Sequence, residues 1–239
     1  MTTRIESATQ RPARGAIAAG GKQTQTTLLL NRLRTGIVRG QMPPGERLVV
    51  SALADMFQAG QTPVREALMR LVSEGLVVLE DQRGFSVASV SPSDLQQLTA
   101  ARAEIEGLLA RWSVEQGDDA WEASLLGSFH LLRKASKVNP VDQSIQPAWE
   151  ELHSQFHATL VGACDNEVLL DIRANLYKRA ERYRQLSVRY LKAPRDDMAE
   201  HQALADAALA RDSAKVEALV KEHIQTTSRI ILAELVNVK

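Results

Sequence analysis

Histidine is the residue type of this chain with the clearest potential for chemistry. His153 and His157 are four residues apart, so on a helix they share one face, and two imidazoles at this spacing can bind one metal ion. His201 and His223 lie on the last two predicted helices, where both can face the same interior. The alternative is a set of solvated or hydrogen-bonded helix histidines, and the spacing alone leaves both interpretations open.

A metal held by histidines would also suit a hydrolase, because the ion can activate water. Zinc peptidases with the His-x-x-x-His spacing place a glutamate directly after the first histidine as general base. The residue at that position here is Ser154, and the sequence offers no other base at a fixed spacing. We therefore predict that the protein is not an enzyme, and a zinc-dependent hydrolase is the disfavoured alternative.

The histidines are predicted to lie on helices, because apolar residues recur at helical spacing in the C-terminal part of the chain. The pattern begins with Leu95, Leu98 and Ile105. No strand pattern follows Val90. This part is therefore predicted to be an all-helical bundle of ~145 residues, which is large enough to bury its own core. The predicted helices span residues 93–116, 119–137, 146–164, 167–191, 195–211 and 213–236.

The stretch from Leu53 to Val87 has the element order of a winged helix-turn-helix. A short helix starts at Leu53, and a second opens at Thr62 and Pro63, with Thr62 as predicted cap and Pro63 as first helical residue. Such a motif lays its second helix in a DNA major groove. The predicted fold is thus mainly α, with a winged helix-turn-helix before the helical bundle. A β-hairpin, the wing, is predicted from Leu76–Leu79, Arg83-Gly84, Phe85 and Val87.

The sequence predicts three segments. Residues 1–24 lack a hydrophobic period and are predicted to be a disordered arm. Residues 25–90 form the predicted winged helix-turn-helix domain, and residues 91–239 form the predicted all-helical domain with the candidate metal-binding histidines. Ser51 is placed to cap the second helix, and Ser91 is placed to cap the first helix of the bundle.

The start of the second helix of the motif holds the side chains that are predicted to contact DNA. Arg65 can bind a guanine edge, and Gln61 and Thr62 can reach a base edge or a phosphate. Arg83 and Gly84 lie at the predicted tip of the wing. Two recognition helices address two half-sites, so a homodimer is expected. The alternative is a well-capped helix start with solvated charges.

The composition supports a DNA-binding protein only when the charged residues of the N-terminal and C-terminal parts are counted separately. The net charge is zero, but residues 1–90 hold 11 Lys and Arg against seven Asp and Glu, whereas residues 91–239 hold 18 against 22. The basic part is the one with the motif, as phosphate neutralisation requires. Cys164 is the only cysteine, and no apolar run approaches a membrane span. We therefore expect a cytoplasmic protein with no membrane partner.

The chain resembles GntR-type bacterial transcription factors over nearly everything after residue 25. Residues 26–90 are similar to the family's DNA-binding domain, and the helical part is similar to that of the FadR subgroup, whose bundle binds small acids. The resemblance implies a repressor of a catabolic operon that binds double-stranded operator DNA. The family often has a base-contacting arginine where this chain has Gln61, which puts the usual operator sequence in doubt. The matching motifs are Pro44-Gly45-Glu46-Arg47-Leu48, Leu53-Ala54, Thr62-Pro63-Val64-Arg65-Glu66-Ala67-Leu68, Leu71, Glu74-Gly75-Leu76 and Gly84-Phe85-Ser86-Val87.

The resemblance also implies a divalent metal. Many bundles of the subgroup hold one with Asp-x-x-x-His on one helix and a histidine on each of two later helices. His157, His201 and His223 match these histidines, and His153 stands where Asp is usual. An all-imidazole site should favour Zn²⁺ or Ni²⁺ over Mn²⁺ and should require a bound anion to balance its charge. His130 has no place in the pattern.

The resemblance finally implies a carboxylic acid effector. Arg102 matches an arginine of the subgroup that faces the effector, and its alternative role is a salt bridge to Glu106. Tyr183 and Arg184 are weaker candidates for the second end of a dicarboxylate. The segment Trp149–His157 resembles that of glutarate-responsive regulators, so glutarate or a near analogue is the predicted effector. A metal-sensing regulator without an organic effector is the alternative, and it predicts no role for Arg102.

Overall fold

A winged helix-turn-helix begins the part of the chain that the structure, a computed structural model, describes: residues 24–141, 144–188 and 197–237. Residues 1–23 of the predicted arm lie outside the described residues. The three strands form one antiparallel sheet in the order β1-β3-β2, with Phe85 of β3 opposite both Leu48 and Leu79. The elements are α1 (Gln25–Val38), β1 (Arg47–Leu48), α2 (Val50–Phe57), α3 (Gln61–Ser73), β2 (Val77–Glu80) and β3 (Gly84–Val87).

Two predicted helix caps in this domain are wrong. Helix α3 begins at Gln61 with Gly60 as its N-cap and has no side-chain cap, so Thr62 is a helical residue rather than the cap. Pro63 is the third helical residue rather than the predicted first, but it still lies within the first turn, where its missing N–H removes no hydrogen bond. Helix α2 starts after Val49, whose carbonyl already accepts from the backbone N–H of Leu53 at 3.0 Å.

Six helices form the rest of the described chain, which confirms the predicted fold class. Ser91 caps the first of them as predicted, since its hydroxyl accepts from the backbone N–H of Asp94 at 3.0 Å. The helices are α4 (Pro92–Gln116), α5 (Asp119–Lys134), α6 (Pro147–Leu160), α7 (Glu167–Val188), α8 (Met198–Leu209) and α9 (Ser213–Asn237). The predicted residues 189–191 and 195–196 lie outside the described part.

Helices α5 and α6 are shorter than predicted, because the residues that follow Lys134 and Leu160 pair with partners outside the helix. After Lys134 the chain turns back on itself, and Val138 forms an isolated antiparallel bridge with Ile145, a short extended pairing that the sequence did not predict. After Leu160, the backbone N–H of Cys164 donates to the Ser113 hydroxyl of α4 at 3.0 Å. The predicted helix over 146–164 therefore ends four residues early.

The N-terminal domain and the bundle each bury their own apolar core. Leu33, Leu68 and Leu71 are fully buried in the first, and Leu125 and Phe156 are fully buried in the second. A third, smaller cluster packs the start of α4 against α7 and α9. Among the described residues, no helix is long and apolar enough to cross a membrane.

The bundle core predicts a contrast between two adjacent leucines of α5. Leu125 is 0% exposed and Leu126 is 49% exposed. Leu125→Ala should lower the free energy of unfolding by about 2–5 kcal/mol, because it removes buried methyl groups and leaves a cavity. Leu126→Ala should change it by less than about 0.5 kcal/mol. Urea unfolding followed by circular dichroism measures both, and equal losses would contradict the described packing of α5.

Candidate functional site

The four predicted ligand histidines converge inside the bundle. His153 and His157 come from α6, His201 from α8 and His223 from α9. All four are buried, and one ring nitrogen of each lies within 4.8 Å of the others. The Nε2 atoms of His157 and His201 are 3.2 Å apart. The histidines are therefore not solvated, whereas the alternative of hydrogen-bonded histidines stays open, because the rings also have hydrogen-bond contacts.

Hydrogen bonds to the outer ring nitrogens fix three of the four imidazoles. The Nδ1 atom of His153 lies 2.9 Å from the Tyr177 hydroxyl, and that of His223 lies 2.8 Å from a carboxylate oxygen of Glu200. The Nδ1 atom of His201 lies 2.8 Å from the backbone oxygen of Asp197. A carbonyl only accepts, so this nitrogen carries the proton and the Nε2 lone pair of neutral His201 faces the cluster. Outer-ring contacts of this kind orient histidines that bind metals.

The interior keeps the imidazoles of His153, His157 and His201 neutral. Burial lowers the pKa of His153 and of His157 well below the usual range, and the neighbouring histidines and arginines lower it further. Burial, followed by the charge of His223, lowers the pKa of His201 to about 4. The Trp149 ring stacks on His153 at 4.7 Å between centroids. Neutral imidazole is the form that binds a metal ion, so these three histidines can act as ligands at neutral pH without first losing a proton.

Three arginines surround a tyrosine next to the histidines. The guanidinium carbons of Arg173, Arg184 and Arg102 lie 4.6, 4.8 and 5.3 Å from the centroid of the Tyr177 ring. Burial raises the pKa of Tyr177 to about 12, so its hydroxyl stays protonated. The sequence analysis missed Arg173 and Tyr177. The sequence did contain a signal for them: Arg173 and Tyr177 are four residues apart on α7, and Arg184 follows seven residues later, so the three share one face of the helix.

Two buried glutamates pair with these arginines. Glu106 accepts from Arg102 at 2.7 Å and from the Nε of Arg173 at 3.4 Å, and Glu150 pairs with Arg184. Burial raises the pKa of Glu106, but the charges of Arg102 and Arg173 outweigh it and hold the pKa below its usual value. The salt bridge that was the alternative for Arg102 is present, although it is buried rather than on the surface.

Tyr183, a predicted effector residue, lies elsewhere. Its hydroxyl donates to a carboxylate oxygen of Asp94 at 2.6 Å, and its ring packs with Leu95, Leu98 and Ile231. Successive helical residues are about 100° apart around the axis, so Tyr183 and its neighbour Arg184 face different surroundings. The structure brings Arg102 and Arg184 to the histidines but not Tyr183.

A second face of α7 contacts the N-terminal domain and its junction with α4. Arg182 donates to the backbone oxygen of Ser89 at 2.7 Å, and Arg179 pairs with Asp94 at 2.8 Å. The side chain of Arg179 also lies against Gly75, which has a φ of +69°. One helix thus touches both the histidine cluster and the segment that follows the wing.

The predicted DNA-contacting residues are exposed on the N-terminal domain. Gln61, Thr62 and Arg65 lie at the start of α3. Arg83 is in the turn between β2 and β3, with 83% of its side chain exposed and a contact to Glu80 at 3.2 Å. Gly84 has a φ of +80°, a conformation that glycine adopts without strain.

The fold and the exposed recognition helix define a DNA-binding regulator, and comparison with known proteins gives the family. The model described as "Bacterial regulatory proteins, gntR family" matches residues 28–87, and the FCD domain model matches residues 97–226. The chain therefore belongs to the GntR family of bacterial transcriptional regulators and carries a C-terminal FCD effector-binding domain. This confirms the predicted family and the expectation of a regulator rather than an enzyme.

Relatives and solved structures agree with this assignment. The chain is 36% identical over 206 residues to the HTH-type transcriptional repressor GlaR of Escherichia coli (strain K12), covering 83% of this chain and 92% of the relative. It is also 36% identical to the HTH-type transcriptional regulator BphR of Paraburkholderia xenovorans (strain LB400), covering 84% and 82%. The E. coli McbR/YncC structure has the same fold, with a TM-score of 0.71 and 21% identity over 90% of this chain and 100% of that one.

Proposed function

We propose that this regulator represses a catabolic operon and leaves its operator when a short dicarboxylic acid, glutarate or a near analogue, binds at a metal ion in the histidine cluster. The observation that carries the proposal is the juxtaposition of four buried imidazoles with three arginines around Tyr177, of which Arg173 is buried and Arg102 and Arg184 are half-buried. Repression is inferred from relatives such as GlaR, which is a transcriptional repressor.

The donor set of the cluster fits a divalent metal held by His153, His157, His201 and His223. Two Zn–N bonds of about 2.0–2.1 Å at a tetrahedral angle place their nitrogens about 3.3 Å apart, and the Nε2 atoms of His157 and His201 are 3.2 Å apart. Nitrogen donors without a carboxylate favour Zn²⁺ or Ni²⁺ over Mn²⁺. A bound ion would supply positive charge and a position for an anionic ligand.

The charge around the cluster supports an acidic effector. The imidazoles carry no negative charge to neutralise a divalent ion, and a bound ion would add positive charge beside Arg102, Arg173 and Arg184, whose carboxylate neighbours are Glu106, Glu150 and Glu181. A buried excess of positive charge is unfavourable without a partner. A dicarboxylate supplies two negative charges, one for the metal and one for the arginines, among which the sequence analysis named Arg102 and Arg184.

On the DNA side, we propose a homodimer on a pseudo-palindromic operator. Each α3 would enter a major groove with Gln61, Thr62 and Arg65 at its leading end, and each wing would meet the adjacent backbone or minor groove with Arg83 and Gly84. Two symmetric copies present two recognition helices to two half-sites.

Helix α7 offers a route from the acid to the operator. It carries Tyr177 and Arg184 at the histidine cluster, and Arg182 and Tyr183 at the segment that joins the wing to α4. Binding of the acid can release DNA only as far as its affinity differs between free and DNA-bound protein. A shift of α7 that moves both faces together would produce such a difference.

Removal of the recognition arginine tests the DNA-binding surface. Arg65→Ala should weaken specific operator binding by about 1–3 kcal/mol, because it removes a side chain that can bind a base edge. Arg111→Ala removes the same charge from an exposed position of the bundle and should leave binding nearly unchanged. Fluorescence anisotropy on an operator selected from random DNA measures both variants. Unchanged affinity of Arg65→Ala would sink the assignment of α3.

The metal proposal predicts one divalent ion per chain in the purified protein. His157→Ala combined with His201→Ala should lose the ion while the far-ultraviolet circular dichroism of the helices persists. His130→Ala, at an exposed position of α5, should retain it. Inductively coupled plasma mass spectrometry reads the occupancy, and a fully loaded double variant would refute the site.

Tyr183→Phe separates binding of the acid from release of DNA. It removes the hydroxyl bond to Asp94 and leaves the histidine cluster intact. Calorimetric affinity for glutarate should stay within about twofold, whereas the coupling to DNA should change by about 0.5–2 kcal/mol, seen as a shifted acid concentration for half-release. A loss of glutarate affinity in this variant would instead make Tyr183 an effector contact, as the sequence predicted.

A further inference from the structure

Arg173 has a terminal guanidinium nitrogen that is buried and without a hydrogen-bond partner among the described residues; the Nε of Arg184 also lacks one, although Arg184 is paired with Glu150 through Nη2. Arg173 is only 6% exposed, and its nitrogen without a partner is Nη2. Its Nε reaches Glu106 at 3.4 Å, which is a long contact for a charge-assisted bond. A buried guanidinium nitrogen without a partner is unfavourable, because it has lost water and gained nothing in return.

Arg102, by contrast, is already occupied. Both its Nε and its Nη2 lie 2.7 Å from the same oxygen of Glu106, and Arg184 is paired with Glu150. An anion that bound to Arg102 would have to compete with a buried carboxylate held at short distance. An anion that bound to the Nη2 of Arg173 would break no existing hydrogen bond.

Arg173 also lies close to the histidines. Its guanidinium carbon is 4.6 Å from the centroid of the Tyr177 ring, and the hydroxyl of that ring contacts His153 at 2.9 Å. One tyrosine therefore separates the open guanidinium from the imidazole cluster.

We propose that Arg173 binds the second carboxylate of the effector through Nη2, while the first carboxylate lies at the histidine cluster. Arg102 is then a positioning residue that holds Glu106 against Arg173. This inference rests on the proposed function, and it makes Arg173 the side chain that distinguishes a dicarboxylate from a monocarboxylate. The guanidinium fork suits a planar carboxylate, which the point charge of a lysine matches less well.

The test compares glutarate with butyrate, an acid of similar size that lacks the second carboxylate. Isothermal titration calorimetry is run on the full chain as purified, with its metal content measured. Wild type should bind glutarate about tenfold or more tightly than butyrate. Arg173→Gln should lose this preference while butyrate affinity changes little, and Arg173→Lys should retain part of it. Arg102→Gln should reduce glutarate affinity less than Arg173→Gln does.

Two controls keep the outcomes separate. Arg111→Gln, an exposed arginine paired with Glu115 on the bundle surface, should bind both acids like wild type. Circular dichroism and metal content report whether each variant is folded and loaded, and Arg173→Lys carries the test if Arg173→Gln does not fold.

The possible results separate the role of Arg173 from the proposed dicarboxylate function on which it rests. If wild type binds glutarate and Arg173→Gln binds it equally well, the role of Arg173 is overturned and the proposed function stands. If neither acid binds wild type or releases the operator, the dicarboxylate function itself is wrong, and the role of Arg173 is overturned with it.

Discussion

The structure of the effector domain depends on how charge is accommodated inside a helical bundle. A charged group removed from water is strongly unfavourable unless it is paired or becomes neutral. His153, His157 and His201 become neutral, because burial lowers the pKa of each. The arginines stay charged and are paired with Glu106 and Glu150. This network of charged and titratable groups distinguishes the interior from an ordinary apolar core.

The same constraint assigns two tasks to α7. One face of the helix supplies Arg173, Tyr177 and Arg184 to the charged interior, and another supplies Arg182 and Tyr183 to the segment between the wing and α4. An acid bound at the first face of α7 would therefore contact the same helix that contacts a second part of the protein with its other face. In this regulator of the GntR family, the other face of α7 contacts the DNA-binding domain and the segment that joins it to α4.

Two departures from the residue pattern that the chain resembles affect specificity rather than class. His153 stands where an aspartate is usual, which removes a negative charge from the proposed metal ligands and increases the need for an anionic effector. Gln61 stands where an arginine is common, at the exposed start of α3. Both residues lie within regular helices, His153 in α6 and Gln61 in α3. The fold is therefore retained while the preferred metal and operator are open to change.

The sequence by itself determined the features that depend on local spacing. The recognition-helix motif, the cap at Ser91 and the shared face of His153 and His157 follow from the geometry of single helices, and the structure contains them. Only the tertiary structure decided which face of α7 points inward. Tyr177 and Tyr183 are both buried tyrosines of one helix, and the packing of α7 against α4 and α6 places the first beside the histidines and the second beside Asp94. No periodicity within one helix contains that information, because it lies in the contacts between helices.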